Sequence, residues 1–185
     1  DIPVIDEFTP SEAVYGTLAF EDQWPKMGDY DFNDFVMNYS YELEKGDNNM
    51  ITALKLTFTP IAKGAASWTH IGVGIELPLS ADNIDKAKSE GATLEEGNDR
   101  ATFIVWNDVN TEGAVVGVSA IPVEVTVRLK TPVSSLLTQK FNPFIFVNSR
   151  QREIHLVDYK PTKHADTSLF GTENDRSDPG AEVYY

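Results

Sequence analysis

A strict alternation of side chains that begins at Phe35 is the feature that most constrains the fold. The apolar and aromatic set is Phe35, Met37, Tyr39, Tyr41 and Leu43, and the polar set between its members is Asn38, Ser40, Glu42 and Glu44. This period of two is typical of a β-strand that turns one face to a core and the other to solvent.

Further segments of this kind recur along the chain, roughly 10 to 20 residues apart, with turn-forming residues between them. The strands that we predict are residues 14–20, 35–44, 51–60, 67–77, 101–106, 114–120, 123–129, 144–147 and 154–157. Only residues 83–90 have the pattern of a short helix. The sequence therefore predicts an all-β fold, an antiparallel β-sandwich or jelly-roll with one short helix.

Length and composition favour one domain. A chain of 185 residues with 41% hydrophobic residues is long enough to bury a sizeable core and has the composition of a globular protein. We expect a single domain over residues 1–185, with an extended lead-in at 1–12 and a polar C-terminal segment at 160–185.

Charge and cysteine content exclude several function classes. The formal net charge of −14 argues against nucleic acid and anionic membrane surfaces as direct partners. No window reaches the roughly 18 apolar residues of a membrane span, so we expect no direct membrane insertion. The absence of cysteine excludes zinc–thiolate sites, cysteine nucleophiles and disulfides.

An acidic stretch between the first two predicted strands is the strongest candidate site. Aromatic residues alternate with its acidic ones, and we expect Tyr30, Phe32 and Phe35 to anchor it in the core. Like charges held this close raise each other's pKa unless a cation compensates them. Because every candidate ligand is an oxygen, the stretch favours Ca²⁺. The candidate ligands are Asp29, Asp31, Asn33 and Asp34, with Glu21 and Asp22 upstream.

The spacing of Asp29, Asp31 and Asn33 matches the first three ligand positions of an EF-hand, but the rest of that motif is absent. Asp34 stands where the motif has glycine, and Ser40 stands where it has a bidentate glutamate. The alternative is a surface turn whose side chains cap backbone groups. Neighbours in a strand face opposite ways, so either Glu21 or Asp22 could complete the shell.

Other residues are weaker candidates. Asp175 and Asp178 could form a second cation site or part of a functional surface, and the alternative is a polar loop. His155 could join that surface, although a lone histidine in a strand is more often structural. Trp24 and Trp68 could stack on a ligand such as a sugar, and the alternative is packing in the core or at its rim.

The sequence contains no Gly-x-Ser-x-Gly elbow, P-loop or dinucleotide-binding fingerprint. An enzyme is therefore the weaker hypothesis. If the chain were one, it would be a glycan-active hydrolase that uses two of the clustered carboxylates as acid and base.

Several motifs resemble those of the LruC domain, which occurs in bacterial cell-envelope proteins, many of them lipoproteins. These motifs are Phe20-Glu21-Asp22, Trp24-Pro25, residues 28–34, 142–145 and 153–156, Pro161-Thr162, and residues 165–172. The resemblance implies export to the cell envelope or cell surface, as part of a larger surface protein. It also implies that the natural C-terminus continues beyond Tyr185.

Together, these observations predict a calcium-binding module of an exported bacterial surface protein. Its expected partner is a glycan or another envelope or surface protein, bound in adhesion or assembly. The alternative is the glycan-active hydrolase.

Overall fold

The computed structural model describes residues 9–10, 14–111 and 120–185. Its strands in chain order are β1 (Thr9–Pro10), β2 (Val14–Phe20), β3 (Phe35–Lys45), β4 (Ile51–Ala62), β5 (Ile71–Ser80), β6 (Thr93–Leu94), β7 (Arg100–Trp106), β8 (Val123–Val133), β9 (Asn142–Val147) and β10 (Glu153–His155). All of the strand pairs are antiparallel.

The strands form two five-stranded sheets. The first sheet has the order β1-β3-β4-β8, and β2 pairs with β3 as well. The second sheet has the order β10-β9-β5-β7-β6. One continuous cluster of buried side chains from both sheets forms the core. The predicted antiparallel β-sandwich is thereby confirmed.

The alternation in β3 has the predicted effect at its start, where Phe35 and Met37 are fully buried. In contrast, β9 is buried along its whole length. Its inward side chains join the main core, whereas Phe144 and Phe146 form a second cluster with Ile104. Both of these rings lie against glycines of β5, because a Cβ on Gly72 or Gly74 would come within 2.0 or 2.4 Å of them.

The predicted helix at residues 83–90 is wrong. A three-residue 3-10 helix at Ala81–Asn83 precedes it, and the α-helical pattern does not continue. Instead, Ile84 and Glu90 form isolated bridges with Leu129 and Thr126 on the edge of β8. Ile84 is fully buried there, so pairing with β8 determines the structure of the segment more than helix propensity does.

Other boundaries differ less. The strand predicted at 67–77 begins at Ile71, because residues 63–70 cross from one sheet to the other. The strand predicted at 114–120 lies almost wholly outside the described residues. Within the lead-in at 1–12, Thr9–Pro10 pairs with the end of β3, and the other positions lie outside the described residues. In the segment at 160–185, the described elements are 3-10 helices at Thr167–Leu169 and Pro179–Ala181.

The strand register brings several connections to one end of the sandwich, here called the loop end. Phe20 pairs with Phe35, Val36 with Ala62, and Ile71 with Val147. The loops at residues 21–34, 63–70 and 148–152 therefore meet at this end. Hydrogen bonds join these loops, for example from Gly64 N–H to the Asn33 carbonyl at 2.9 Å.

A buried ionic network covers the outer face of the second sheet. Arg150 donates two hydrogen bonds of 2.6 Å to the carboxylate of Glu95 and also forms a salt bridge with Glu153. Glu153 is 1% exposed and also bonds to Thr162 and His155. Burial alone would raise the pKa of Glu153, but the bond and charge of His155, the charge of Arg150 and the Thr162 bond lower it to about 2.

Replacing Glu153 with glutamine should lower the free energy of unfolding at neutral pH by about 3 kcal/mol, because the partly buried Arg150 loses a fully buried charged partner. Chemical denaturation of both proteins measures the difference. Glu96→Gln is the matched control. The side chain of Glu96 is 88% exposed, so this change should have no measurable effect.

The same pair of proteins has a predicted pH dependence. The pKa of Glu153 is lower in the folded state than its ordinary value of 4.5, so its contribution is complete above that value. The difference between wild type and Glu153→Gln should shrink as the pH falls from 4.5 towards about 2. A difference that is constant over this range would contradict the ionic role of Glu153.

Candidate functional site

The loop at residues 21–34 leaves the sheet immediately after Phe20. The expectation that Tyr30 and Phe32 anchor it in the core is wrong, because their side chains are 60% and 51% exposed. Only Phe35 is buried. Tyr30 and Phe32 have φ angles of 60° and 51°, in the left-handed region. This backbone turns their rings outwards and breaks the alternation that would have made the stretch a strand.

The loop brings three carboxylates together. Glu21, Asp29 and Asp31 each offer one oxygen, and these oxygens all lie within 4.8 Å of one another. We call this group the carboxylate trio. Glu21 is partly buried, and the two aspartates are exposed. Glu21 joins the trio because β2 has ended at Phe20, so the alternation of a strand no longer governs its direction.

Hydrogen bonds within the loop hold the trio in place. Glu21 Oε1 accepts a bond of 2.6 Å from the backbone N–H of Phe32. Asp31 accepts from the backbone N–H and the side-chain amide of Asn33. Asn33 packs in turn against Gly64, where an added Cβ would lie 2.0 Å from Asn33 Oδ1. Asn33 therefore acts as a link between Asp31 and the neighbouring loop.

Two observations show that the trio fits a cation. Glu21 Oε2 is buried and has no hydrogen-bond partner, which is costly for a carboxylate oxygen unless another group binds it. It lies against Gly28, where a Cβ would come within 2.1 Å of it. In the described part of the chain, no salt bridge includes a member of the trio. A hard cation would therefore satisfy both the orphaned oxygen and the repulsion.

Asp22 and Asp34 form a separate pair beside the trio. Asp34 Oδ2 accepts a bond of 2.8 Å from the backbone N–H of Asp22, and the two side chains are also hydrogen-bonded. Burial raises the pKa of Asp22, and the charge and bond of Asp34 raise it further. A bond to Thr69 and the charge of Arg152 oppose this shift. Both residues support the loop, and neither belongs to the trio.

Arg152 fixes the start of the loop from the β9–β10 hairpin. Its guanidinium donates to the carbonyl oxygen of Asp22 at 3.0 Å, and to that of Trp24 at 2.8 and 2.6 Å. The Trp24–Pro25 peptide bond that follows is cis. Burial lowers the pKa of Arg152, and the charge of Asp22 opposes this shift. The guanidinium therefore connects the carboxylate loop to the second sheet.

The remaining candidate residues have other surroundings. Trp24 is half-buried and packs on Phe170 with ring centroids 4.7 Å apart, whereas Trp68 is 79% exposed. The ring of His155 is buried between hydrogen bonds of 2.8 Å to Asn142 and Glu153.

Asp175 and Asp178 cap turns in the C-terminal segment. Asp175 accepts from the Gly171 N–H at 2.7 Å, and Asp178 accepts from the backbone N–H groups at the start of Pro179–Ala181. Among the described residues, the trio is the only acidic or histidine group of three or more with a ligand geometry. Asp175 and Asp178 are therefore not brought together with further ligands.

Three residues that support the carboxylate loop were not among the candidates predicted from the sequence. Gly28 stands directly before Asp29, and a glycine beside an acidic cluster is a usable signal of close approach. Thr69 and Arg152 are far from the loop in the sequence, so only the three-dimensional structure places them beside it.

Fold and site together define a β-sandwich module with a carboxylate site in a loop at one end. A family model described as Domain of unknown function (DUF4842) matches residues 49–185, and the chain belongs to this family. The match includes β4 to β10, and it begins after the carboxylate loop. Comparisons with curated proteins and with solved structures gave no match. Within the described ranges, no helix has the length and apolar character needed to cross a membrane.

Arg152→Lys keeps the charge but loses the fork geometry that reaches two carbonyl groups. We expect it to lower the free energy of unfolding by about 2 kcal/mol. Arg100→Lys serves as the control. The side chain of Arg100 is 55% exposed and makes one bond of 3.4 Å to Glu76, so its replacement should cost less than about 0.5 kcal/mol. Equal effects in urea denaturation would contradict the role assigned to Arg152.

Proposed function

We propose that this chain is a calcium-binding β-sandwich module of an exported bacterial surface protein, and that it binds a glycan or a protein partner in adhesion or assembly. The observation that carries the proposal is the carboxylate trio with the buried, unpartnered Glu21 Oε2. All of the groups that the trio offers are carboxylate oxygens, which suit Ca²⁺ better than a transition metal.

The ion would have a structural role. Glu21, Asp29 and Asp31 would hold it, and it would neutralise two of their three negative charges. Tyr30 and Phe32 have left-handed backbone conformations that are unfavourable for non-glycine residues, so the loop needs strong local restraints. A cation that joins Glu21 before the turn to Asp29 and Asp31 after it would supply such a restraint.

Carboxylate spacing favours binding over the hydrolase alternative. Glycoside hydrolysis needs two carboxyl groups roughly 5 to 10 Å apart. In the trio, one oxygen of each carboxylate lies within 4.8 Å of the others, so the three groups converge on one point and are suited to share one cation. Asp22 and Asp34 are close enough to share a hydrogen bond, so they too converge rather than flank a sugar bond.

The resemblance to the LruC domain supports export to the cell envelope or cell surface. The acidity of the chain also suits a module that binds calcium from its surroundings. Partners are therefore sought among surface glycans and surface proteins.

Isothermal titration with CaCl₂ tests the ion site. The chain should bind one Ca²⁺ per molecule, and Asp31→Asn should weaken binding at least about tenfold. Asp22→Asn is the matched control, because it removes a charge from the same loop but outside the trio. It should change the affinity less than about threefold, through long-range electrostatics alone. No binding by the wild type, or equal losses in both variants, would contradict the proposal.

Gly28→Ala tests the same site without removing a carboxylate. The new methyl group would lie 2.1 Å from Glu21 Oε2 and displace the flexible Glu21 side chain from the trio. We expect calcium affinity to fall at least about tenfold, with less than about 1 kcal/mol lost in the stability of the calcium-free protein. Gly180→Ala controls for adding a methyl group to a surface glycine, because Gly180, like Gly28, lies outside the left-handed region and a Cβ there would come no closer than 3.2 Å to another side chain. Unchanged calcium affinity in Gly28→Ala would show that Glu21 does not bind the ion.

A further inference from the structure

An aromatic groove of about 380 Å³ lies beside the carboxylate trio. Its aromatic walls come from Trp24, Tyr30 and Phe32 in the loop and from Tyr185, and Ile154 and Leu156 line it as well. Tyr30, Phe32 and Tyr185 are each more than half exposed. The backbone at Tyr185 is fixed by a bond of 3.0 Å from its N–H to Ser177 Oγ. Several rings therefore present free faces around one opening.

The groove and the proposed ion site share residues. Glu21, a member of the trio, lines the groove, and so does Gly28, against which Glu21 Oε2 lies. Ca²⁺ takes about six to eight oxygen ligands. Glu21 Oε1 and both oxygens of Asp31 already accept hydrogen bonds from the protein. An ion held by the trio would therefore have coordination positions left for oxygens from outside the chain.

Charge around the groove favours a neutral ligand. A divalent cation would offset two of the three charges of the trio. The other charged residues that line the groove are Lys26, Arg176 and Asp175, and their charges offset the one that remains. His155 also lines the groove, but its ring is bonded at 2.8 Å to the carboxylate of Glu153, which compensates any charge on it. A calcium-loaded groove would therefore be close to neutral, which disfavours a strongly charged peptide.

We propose that the groove binds a sugar residue of a neutral glycan. The apolar face of the sugar ring packs on the exposed aromatic rings, and neighbouring hydroxyl groups supply oxygens to the calcium ion. Asn174 and Arg176 at the groove offer further hydrogen-bonding groups. This inference rests on the proposed calcium site, and it selects the glycan from the two partner classes named above.

The test uses the methyl glycosides of glucose, galactose, mannose, fucose and N-acetylglucosamine. Calcium loading of the chain is first established by titration, and each glycoside is then measured by saturation-transfer difference NMR. At least one should bind with calcium present and lose its signal when EDTA is added. Tyr185→Ala and Phe32→Asn should weaken that binding about tenfold. Asparagine tolerates the left-handed backbone at position 32, and its backbone N–H can still donate the hydrogen bond to Glu21 Oε1.

Trp68→Ala is the matched control, because Trp68 is an exposed aromatic residue outside the lining of the groove. It should leave glycoside binding unchanged.

A calcium-loaded chain that binds no glycoside overturns the inference and leaves the calcium site standing. Calcium-dependent binding of poly-L-glutamate in place of a sugar would overturn it and assign the groove to acidic protein partners. Glycoside binding that persists in EDTA would show that the calcium ion does not bind the sugar hydroxyl groups, and would overturn that step of the inference. A failure of the calcium titration itself would instead count against the proposed function.

Discussion

Repulsion among Glu21, Asp29 and Asp31 is the constraint that the structure of this end of the sandwich has to satisfy. Three carboxylates with oxygens within 4.8 Å of one another are unfavourable unless positive charge compensates them. The loop nevertheless keeps them together through bonds from Phe32 and Asn33, and it leaves one buried oxygen of Glu21 without a partner. A cation bound at this point would remove both costs, and the calcium proposal rests on that.

The sandwich supplies the frame that makes such a loop possible. The antiparallel register of β2, β3 and β4 returns Phe20, Phe35 and Ala62 to the same end, so the carboxylate loop and residues 63–70 are neighbours. Arg152 then joins the loop to the second sheet through two carbonyl groups. The ionic network around Glu153 stabilises the hairpin from which Arg152 projects. Core packing, the buried ion pairs and the loop are therefore parts of one arrangement.

The fold of this protein could be predicted from its sequence, but only part of the candidate site could. Alternation identifies β3 because Phe35 and Met37 must face a core, and that pattern is local. The predicted helix at 83–90 is wrong because Ile84 and Glu90 form bridges with β8. These contacts join residues far apart in the sequence, so no local pattern indicates them. The acidic cluster was evident, but the outward direction of Tyr30 and Phe32 depends on backbone angles. The choice of Glu21 over Asp22 depends on where β2 ends. The position of Tyr185 beside the loop depends on the whole chain.

The central claim is that the carboxylate trio binds one calcium ion. A structure determined from crystals grown with CaCl₂ tests it most directly. We predict one ion bound by oxygens of Glu21, Asp29 and Asp31 at about 2.3 to 2.6 Å, with calcium identified by its anomalous signal. The loop backbone at Tyr30 and Phe32 should stay left-handed, and water or ligand oxygens should complete the shell. A trio without an ion at a calcium concentration that saturates the binding measured in solution would contradict the claim. Carboxylates that turn away from one another in that crystal would contradict it equally.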